Sequence, residues 1–461
     1  MASELRDDVT VLDSLPSLQK SVEIGAPSSK ILTSITGEKP SELKNGVFFF
    51  VGCWNRLDET INNDCTTIVV NEIANSHQLY GENYDFGVVL GDNIYPDELS
   101  YTSAVKMKAL KKEFNPEKMA RGIKRFDSLD KPLHIVLGNH DIENCDMLTQ
   151  QTKSYNTWQF RGNLYDTLYE VDKQIVRLIA IDTNVIVDFN PSNESEQLSA
   201  GYKELTDKGC DVNFNIDPQK YYGAFKQMLL PQNNIGVSLI IVAGHQPLFT
   251  AKEKEGKTKT SVMAFVDDFM ESVHELQKSG VDIVYICADL HAFMDSRVEL
   301  GGTSIRQIVA GTGGASPDPF SSDYIAIIKK TPVPAKGSKT VLRVTEVHNS
   351  YGYASFNLRS YLQDHSSGIN YRHNKKNEFD SKCFEKKPHL DQEKIAITHA
   401  SSVQSPVQSL VQSLDQNPVQ VPGQKSEQLD SSIPGQHGGG VKRSVNSYLK
   451  CKTDYLALMT L

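Results

Sequence analysis

No stretch of this chain approaches the roughly 18 consecutive apolar residues that a membrane-crossing helix needs, so a bilayer-spanning helix is not expected. The seven cysteines are odd in number and include no C-x-x-C pair. That usage suits a reducing compartment better than a disulfide framework, and unpaired thiols are expected. No long block of Lys and Arg offsets the formal net charge of -9, which argues against nucleic acid as the main partner. Residues 1–45 carry Asp8, Asp13 and Glu23 and no apolar core of a secretory signal, so the expected location is the cytoplasm, or outside the cell by a route without an N-terminal signal peptide.

What the chain does have is a repeated design. Val88-Val89-Leu90 runs into Gly91-Asp92-Asn93-Ile94-Tyr95, so an apolar run ends in a glycine and a carboxylate and phenol follow at once. Val51-Gly52-Cys53-Trp54-Asn55, Leu137-Gly138-Asn139-His140-Asp141, Val242-Ala243-Gly244-His245 and Cys287-Ala288-Asp289-Leu290-His291 place ligand-type side chains in the same position. In open α/β folds, ligands bind beyond the carboxyl ends of buried strands, and the five stretches together predict one metal site.

The apolar runs are too short for helices and predict strands at Val47–Val51, Asp85–Leu90, Leu133–Leu137, Ile175–Ile181, Val237–Val242, Asp282–Cys287 and Ile305–Ala310. Between them, spacing for a buried stripe predicts helices over 68–80, 103–114, 117–126, 222–230 and 264–278. Val341–Val347 and Tyr353–Arg359 read as a closing hairpin across Asn349-Ser350. Strands that alternate with helices, followed by antiparallel strands, predict a layered α/β domain over residues 46–360. Flanking it are a polar extension over 1–45, with at most one short helix near 18–24, and a polar insertion over 185–221. Residues 361–445 are hydrophilic and then Gln/Ser/Pro-rich, lacking the large apolar side chains that offset ordering entropy, and are expected to be disordered. Residues 446–461 could form a short amphipathic helix and offer a protein-docking tail.

Gly91-Asp92-Asn93-Ile94-Tyr95, Gly138-Asn139-His140-Asp141, Val242-Ala243-Gly244-His245 and the later His291, in that order, resemble the blocks of calcineurin-like metallophosphoesterases. The tyrosine in G-D-x-x-Y is more specifically similar to the purple acid phosphatase branch. The resemblance covers about residues 46–315. It implies a four-layer α/β/β/α sandwich, two sheets flanked by helices, with two metal ions, iron, manganese or zinc, at the strand ends. It implies phosphoester hydrolysis by a hydroxide that the two ions activate, on a phosphorylated small molecule or a phosphoprotein. By the same resemblance Asp92 bridges the ions, Tyr95 and His291 bind the first, and Asn139 and His245 the second. His140 would donate a hydrogen bond or proton to the substrate, and Asp141 would orient its imidazole.

Two positions depart from the pattern. The family's first ligand Asp is Cys53 here, with Asn55 two residues on, and its first histidine in the last block is Asp289. A neutral Cys53 with an amide oxygen from Asn55 would lose one negative ligand at the first ion, and Asp289 would restore it at the second. A Cys53 thiolate would instead bind directly and favour a softer metal. These departures keep a second reading in play, a catalytically impaired phosphatase-like protein that acts as a binding or scaffold module.

Overall fold

The structure is a computed structural model that describes residues 38–55, 65–95, 116–143, 145–151, 155–189, 191, 200–207, 217–254, 256–315, 317–318 and 320–373. The readings for 1–37, the helix over 103–114 and the tail beyond 373 fall outside the described residues.

Val47–Val51 shows why the chain builds a sandwich. All five residues are buried, and the period of two sends Phe48 and Phe50 to one side and Val47, Phe49 and Val51 to the other. The first set packs against a second sheet, beside Leu178, Leu239, Ile241, Val284, Ile286 and Ile308. The second set packs under helices, beside Val69 and Ile73 of Cys65–Ala74 and Met119, Ile123 and Phe126 of Pro116–Asp127. On the far side, Phe225 of Pro218–Met228 and Phe269, Val273 and Leu276 of Val266–Lys278 cover the second sheet's outer face. The layers are therefore helix, sheet, sheet, helix, as the family resemblance implied.

The smaller sheet has six strands, in the order Ile369–Arg372, Tyr353–Asn357, Val47–Val51, Phe86–Leu90, Leu133–Val136 and Trp158–Gln159. Its last four strands run parallel and the first two antiparallel. In the larger, nine-stranded sheet, Gln174–Ile181, Val237–Ala243, Asp282–Cys287 and Thr303–Ala310 form a parallel centre. Phe293–Leu300 and Val341–His348 continue it antiparallel. The two parallel centres end side by side, which is where the ligand-type residues lie.

Four expectations are corrected. Val341–His348 and Tyr353–Asn357 are not a hairpin: the first joins the nine-stranded sheet and the second pairs with Val47–Val51 in the other. The chain changes sheets at Gly352, whose N–H donates to Thr312 O at 3.1 Å while its carbonyl accepts from Thr312 Oγ1 at 2.9 Å. The helix expected over 68–80 is two helices, Cys65–Ala74 and Ser76–Tyr80, interrupted at Asn75. Cys65 and Cys145 are disulfide-bonded rather than free, whereas Cys53 and Cys287 are buried thiols. Ordered structure also passes residue 360, because Ile369–Arg372 pairs with Tyr353–Asn357. Among the described residues no helix is long and apolar enough to cross a membrane.

Candidate metal centre

Each site residue follows a strand of a parallel centre, and the backbone turns sharply to present it. Cys53, Asn55, Asp92 and Asp289 all adopt the left-handed conformation, with φ of 52°, 59°, 51° and 58°. That region is costly for residues with a Cβ and collects at functional sites. Close approach of the loops depends on glycine. A Cβ on Gly138 would lie 2.1 Å from Asp92 N and 2.3 Å from its Oδ1, and one on Gly91 would lie 2.7 Å from His245 Nδ1.

Asp92 is the centre of the group and is nearly fully buried. Its Oδ1 lies 3.3 Å from His245 Nε2 and accepts the His140 backbone N–H at 3.1 Å. Its Oδ2 accepts from Tyr95 Oη at 3.0 Å and lies 3.9 Å from Cys53 Sγ. Around Oδ1, His245 Nε2 also lies 3.2 Å from Asn139 Oδ1 and 3.9 Å from Asp289 Oδ1. Around Oδ2, Tyr95 Oη lies 3.2 Å from His291 Nε2. The carboxylate thus divides the site residues into two groups, one per oxygen.

The donor set fits a cation. Ligand atoms of Cys53, Asp92 and His245 all lie within 4.8 Å of one another, and all three residues are buried. His245 Nδ1 donates to Leu90 O at 2.7 Å, which makes Nε2, the atom facing Asp92, the one that would bind a cation once it gives up its proton. Electrostatics without a cation show what one would compensate. Burial alone would push Asp92 up, but the charge and hydrogen bond of His245 hold its carboxyl well below the usual range. Burial pushes His245 down, yet Asp92 and then Asp289 pull it up to about 9. Burial, with Asp92 and Asp289 beside it, pushes the Cys53 thiol well above its ordinary value, so with no cation nearby it is neutral. Metal binding needs a neutral imidazole, and uptake would release the His245 proton.

Two expected roles are not what the structure shows. Asn55 does not face the Asp92 carboxylate: its Nδ2 donates to Asn93 O at 2.8 Å, and its amide lies against Gly122 of helix Pro116–Asp127. Asp141 does not orient His140. It accepts from Gly138 N at 2.7 Å, Asn93 N at 2.8 Å, Asn93 Nδ2 at 3.1 Å and Ile94 N at 3.2 Å, and so ties two site loops together. His140 Nδ1 instead faces Glu143 Oε1 at 2.6 Å. His291 and Asp289 lie at the rim, where His291 N donates to Asp318 Oδ2 at 2.9 Å and Lys252 Nζ lies 3.9 Å from Asp289 Oδ2.

Sequence reasoning missed Asn93 and Glu143. Asn93 is fully buried; its Nδ2 reaches Val136 O at 3.0 Å and Gln151 Oε1 at 2.8 Å, and its Oδ1 accepts from Trp54 Nε1 at 2.9 Å. Nothing in its surroundings in the sequence distinguishes it from a turn asparagine. Glu143 was legible in principle, because residues three apart eclipse in a 3₁₀ turn and His140–Ile142 is one. Asp182 and Thr183 connect the loops behind the site. Asp182 Oδ1 accepts from Asn184 N at 3.0 Å, Asn184 Nδ2 donates to Leu137 O at 3.2 Å, and Thr183 Oγ1 accepts from Gln246 N at 3.1 Å.

Among solved structures, TT1561 of Thermus thermophilus is similar over 59% of this chain and 91% of its own, at 12% identity and a TM-score of 0.29. No curated protein matches the chain. The sequence profile of the calcineurin-like phosphoesterases matches residues 51–293, which span every expected metal ligand from Cys53 to His291. With that match over more than half of its length, the chain belongs to the calcineurin-like phosphoesterase family.

Proposed function

We propose that the chain is a metal-dependent phosphatase that hydrolyses phosphate esters of a small molecule or a phosphoprotein, and that it lies nearest the purple acid phosphatase branch. The observation that carries this reading is the division of Asp92, with Oδ1 toward His245 and Oδ2 toward Tyr95. Cys53, Tyr95 and His291 would hold one ion and Asn139, His245 and Asp289 the other, with Asp92 shared. Imidazole and oxygen donors suit iron, manganese or zinc, and a sulfur donor suits zinc or ferrous iron. Two such ions neutralise the oxygens of a phosphoester and make water a competent nucleophile at neutral pH.

The chain's own residues supply the rest. His140 is partly exposed, and Glu143 lies against its Nδ1; the imidazole would hydrogen-bond the phosphate or protonate the leaving oxygen. Asn93 and Asp141 keep the Asp92 and Asn139 loops in register. The phenol of Tyr95, between Asp92 and His291, supports the purple acid phosphatase likeness. For location, the disulfides at Cys65 and Cys145 weigh toward export over the cytoplasm.

A second reading is a catalytically impaired binding or scaffold protein. The neutral Cys53 thiol and the averted Asn55 favour it, since both weaken the Tyr95–His291 side. Metal analysis of the purified protein, paired with p-nitrophenyl phosphate hydrolysis, separates the two. Bound metal with turnover supports the phosphatase. Less than one ion per chain and no turnover with added manganese, iron or zinc overturns it.

A further inference from the structure

Four residues after His245 the chain leaves the sandwich as a two-stranded ribbon, Phe249–Lys254 paired antiparallel with Lys257–Val262. Its root is fixed: Phe249 and Ala251 are buried, and the Gln307 side chain accepts from Phe249 N at 3.2 Å and donates to Phe249 O at 2.8 Å. Beyond the root the register is unusual. Lys252 sits directly opposite Lys259, and Lys254 directly opposite Lys257. Alternation along a strand puts all four on one face of the ribbon. Like charges directly opposite one another destabilise a strand pair, so nothing internal to the ribbon accounts for the arrangement.

The other face does the anchoring. Glu253 lies there and accepts from Ser321 N at 2.7 Å and from Ser321 Oγ at 2.9 Å. The lysine face turns to the metal centre, because Lys252 Nζ lies 3.9 Å from Asp289 Oδ2 and 4.0 Å from Asp318 Oδ2. Lys254, Lys257 and Lys259 are exposed, and among the described residues none of them forms an ion pair. Glu255 at the tip lies outside the described residues. A row of paired cations therefore begins at the rim of the site and leads outward, on a chain whose formal net charge is -9.

We propose that this ribbon is a substrate-binding arm for an acidic peptide that carries the phosphorylated residue. The two lysine pairs are about 7 Å apart, two residues at ~3.4 Å each, and alternate side chains of an extended peptide repeat at the same spacing. Carboxylates flanking the phosphorylated residue then meet one lysine pair after another while the phosphate lies at the site. Focused positive potential of this kind raises the local concentration of an anionic substrate. This assignment rests on the phosphatase reading above and narrows its substrate class.

The test compares wild type with the Lys254→Glu/Lys257→Glu double variant, which touches no residue of the metal centre. Three substrates are used: p-nitrophenyl phosphate, a phosphoserine peptide with glutamate at alternate positions, and the same peptide with glutamine. The variant is expected to keep wild-type turnover of p-nitrophenyl phosphate and to lose about tenfold in kcat/KM on the glutamate peptide, through KM. The same loss is expected in fluorescence anisotropy with a labelled glutamate peptide, a binding readout that stands even if no turnover is found. Equal kcat/KM and equal binding for the two peptides in wild type would overturn the assignment. So would inhibition by tripolyphosphate that responds to the variant while the glutamate peptide does not, which would make the arm a polyphosphate site. Absence of any p-nitrophenyl phosphate turnover counts against the phosphatase alone.

Discussion

Asp92 Oδ1 lies 3.3 Å from His245 Nε2 with both side chains buried, which joins the strand ends of the two sheets at one carboxylate. Replacing Asp92 with Asn keeps the shape and removes the charge that cations at either oxygen would need. The expected outcome is metal content well below that of wild type, measured by elemental analysis, and turnover lower by about 10²-fold or more. Folding should survive, since no strand hydrogen bond is touched. Wild-type metal content in Asp92→Asn would remove Asp92 from the shared position.

His140 and Glu143 are separable from metal binding. His140→Ala should retain its metal, because only the backbone N–H of residue 140 reaches Asp92, at 3.1 Å. Turnover should fall by about 10²-fold, the usual effect of losing a general acid. Glu143→Gln leaves the imidazole in place and weakens only its 2.6 Å partner, so a smaller loss of about tenfold is expected. An Asp141 variant should behave differently, losing stability and metal together, as four hydrogen bonds from residues 93, 94 and 138 converge on that carboxylate. Intact turnover in His140→Ala would leave proton donation without a residue.

These pairs also show which parts of the molecule can be read from sequence. The parallel centres were legible because strands such as Val47–Val51 and Phe86–Leu90 are covered on both faces and so consist of unbroken apolar runs. Leu164–Val171 and Phe293–Leu300 were missed because charged residues interrupt them. Asp166 is buried against Arg177 in the first, and Asp295 pairs with Arg306 across the second, partners that only the fold supplies. The site's composition was legible and its directions were not. Asn55 has a suitable side chain at a suitable distance along the chain, but its left-handed backbone and the space over Gly122 turn the amide away. Cys53, the least conventional of the expected ligands, is brought within reach of Asp92 and His245.

The ion pair that concealed Leu164–Val171 carries its own prediction. Arg177 Nε donates to Asp166 Oδ2 at 2.8 Å, and its Nη1 donates to Met228 O, Asn233 O and Asn234 Oδ1, which joins the sheet to the end of helix Pro218–Met228. Arg177→Met leaves a buried carboxylate and three acceptors without that donor. Breaking a buried pair from one side costs about 3–5 kcal/mol, and urea unfolding should show a loss of that size. Arg177→Met with Asp166→Leu should recover much of it, since the remaining charge is then gone. A double variant no more stable than the single would mean that the carbonyl contacts, not the carboxylate, dominate.

His134 gives the stability a pH dependence that is independent of the metal centre. It is buried on strand Leu133–Val136, its Nε2 faces Tyr169 Oη, and its Nδ1 has no hydrogen-bond partner among the described residues. Burial, with the Arg161 charge adding to it, pushes its pKa down to about 3 from an ordinary value of 6.5. The folded protein therefore keeps this ring neutral at a pH where the unfolded chain takes up a proton. Its contribution is fully present above pH 6.5 and is lost progressively as the pH falls toward 3. The slope for one such group is about 1.4 kcal/mol per pH unit, so unfolding free energy should drop by about 2 kcal/mol between pH 6.5 and pH 5 from this residue. His134→Gln, which does not titrate, should flatten that limb in urea denaturation at pH 7, 6 and 5, whatever its stability at pH 7. An unchanged slope in the variant would show that the acid limb belongs to other groups.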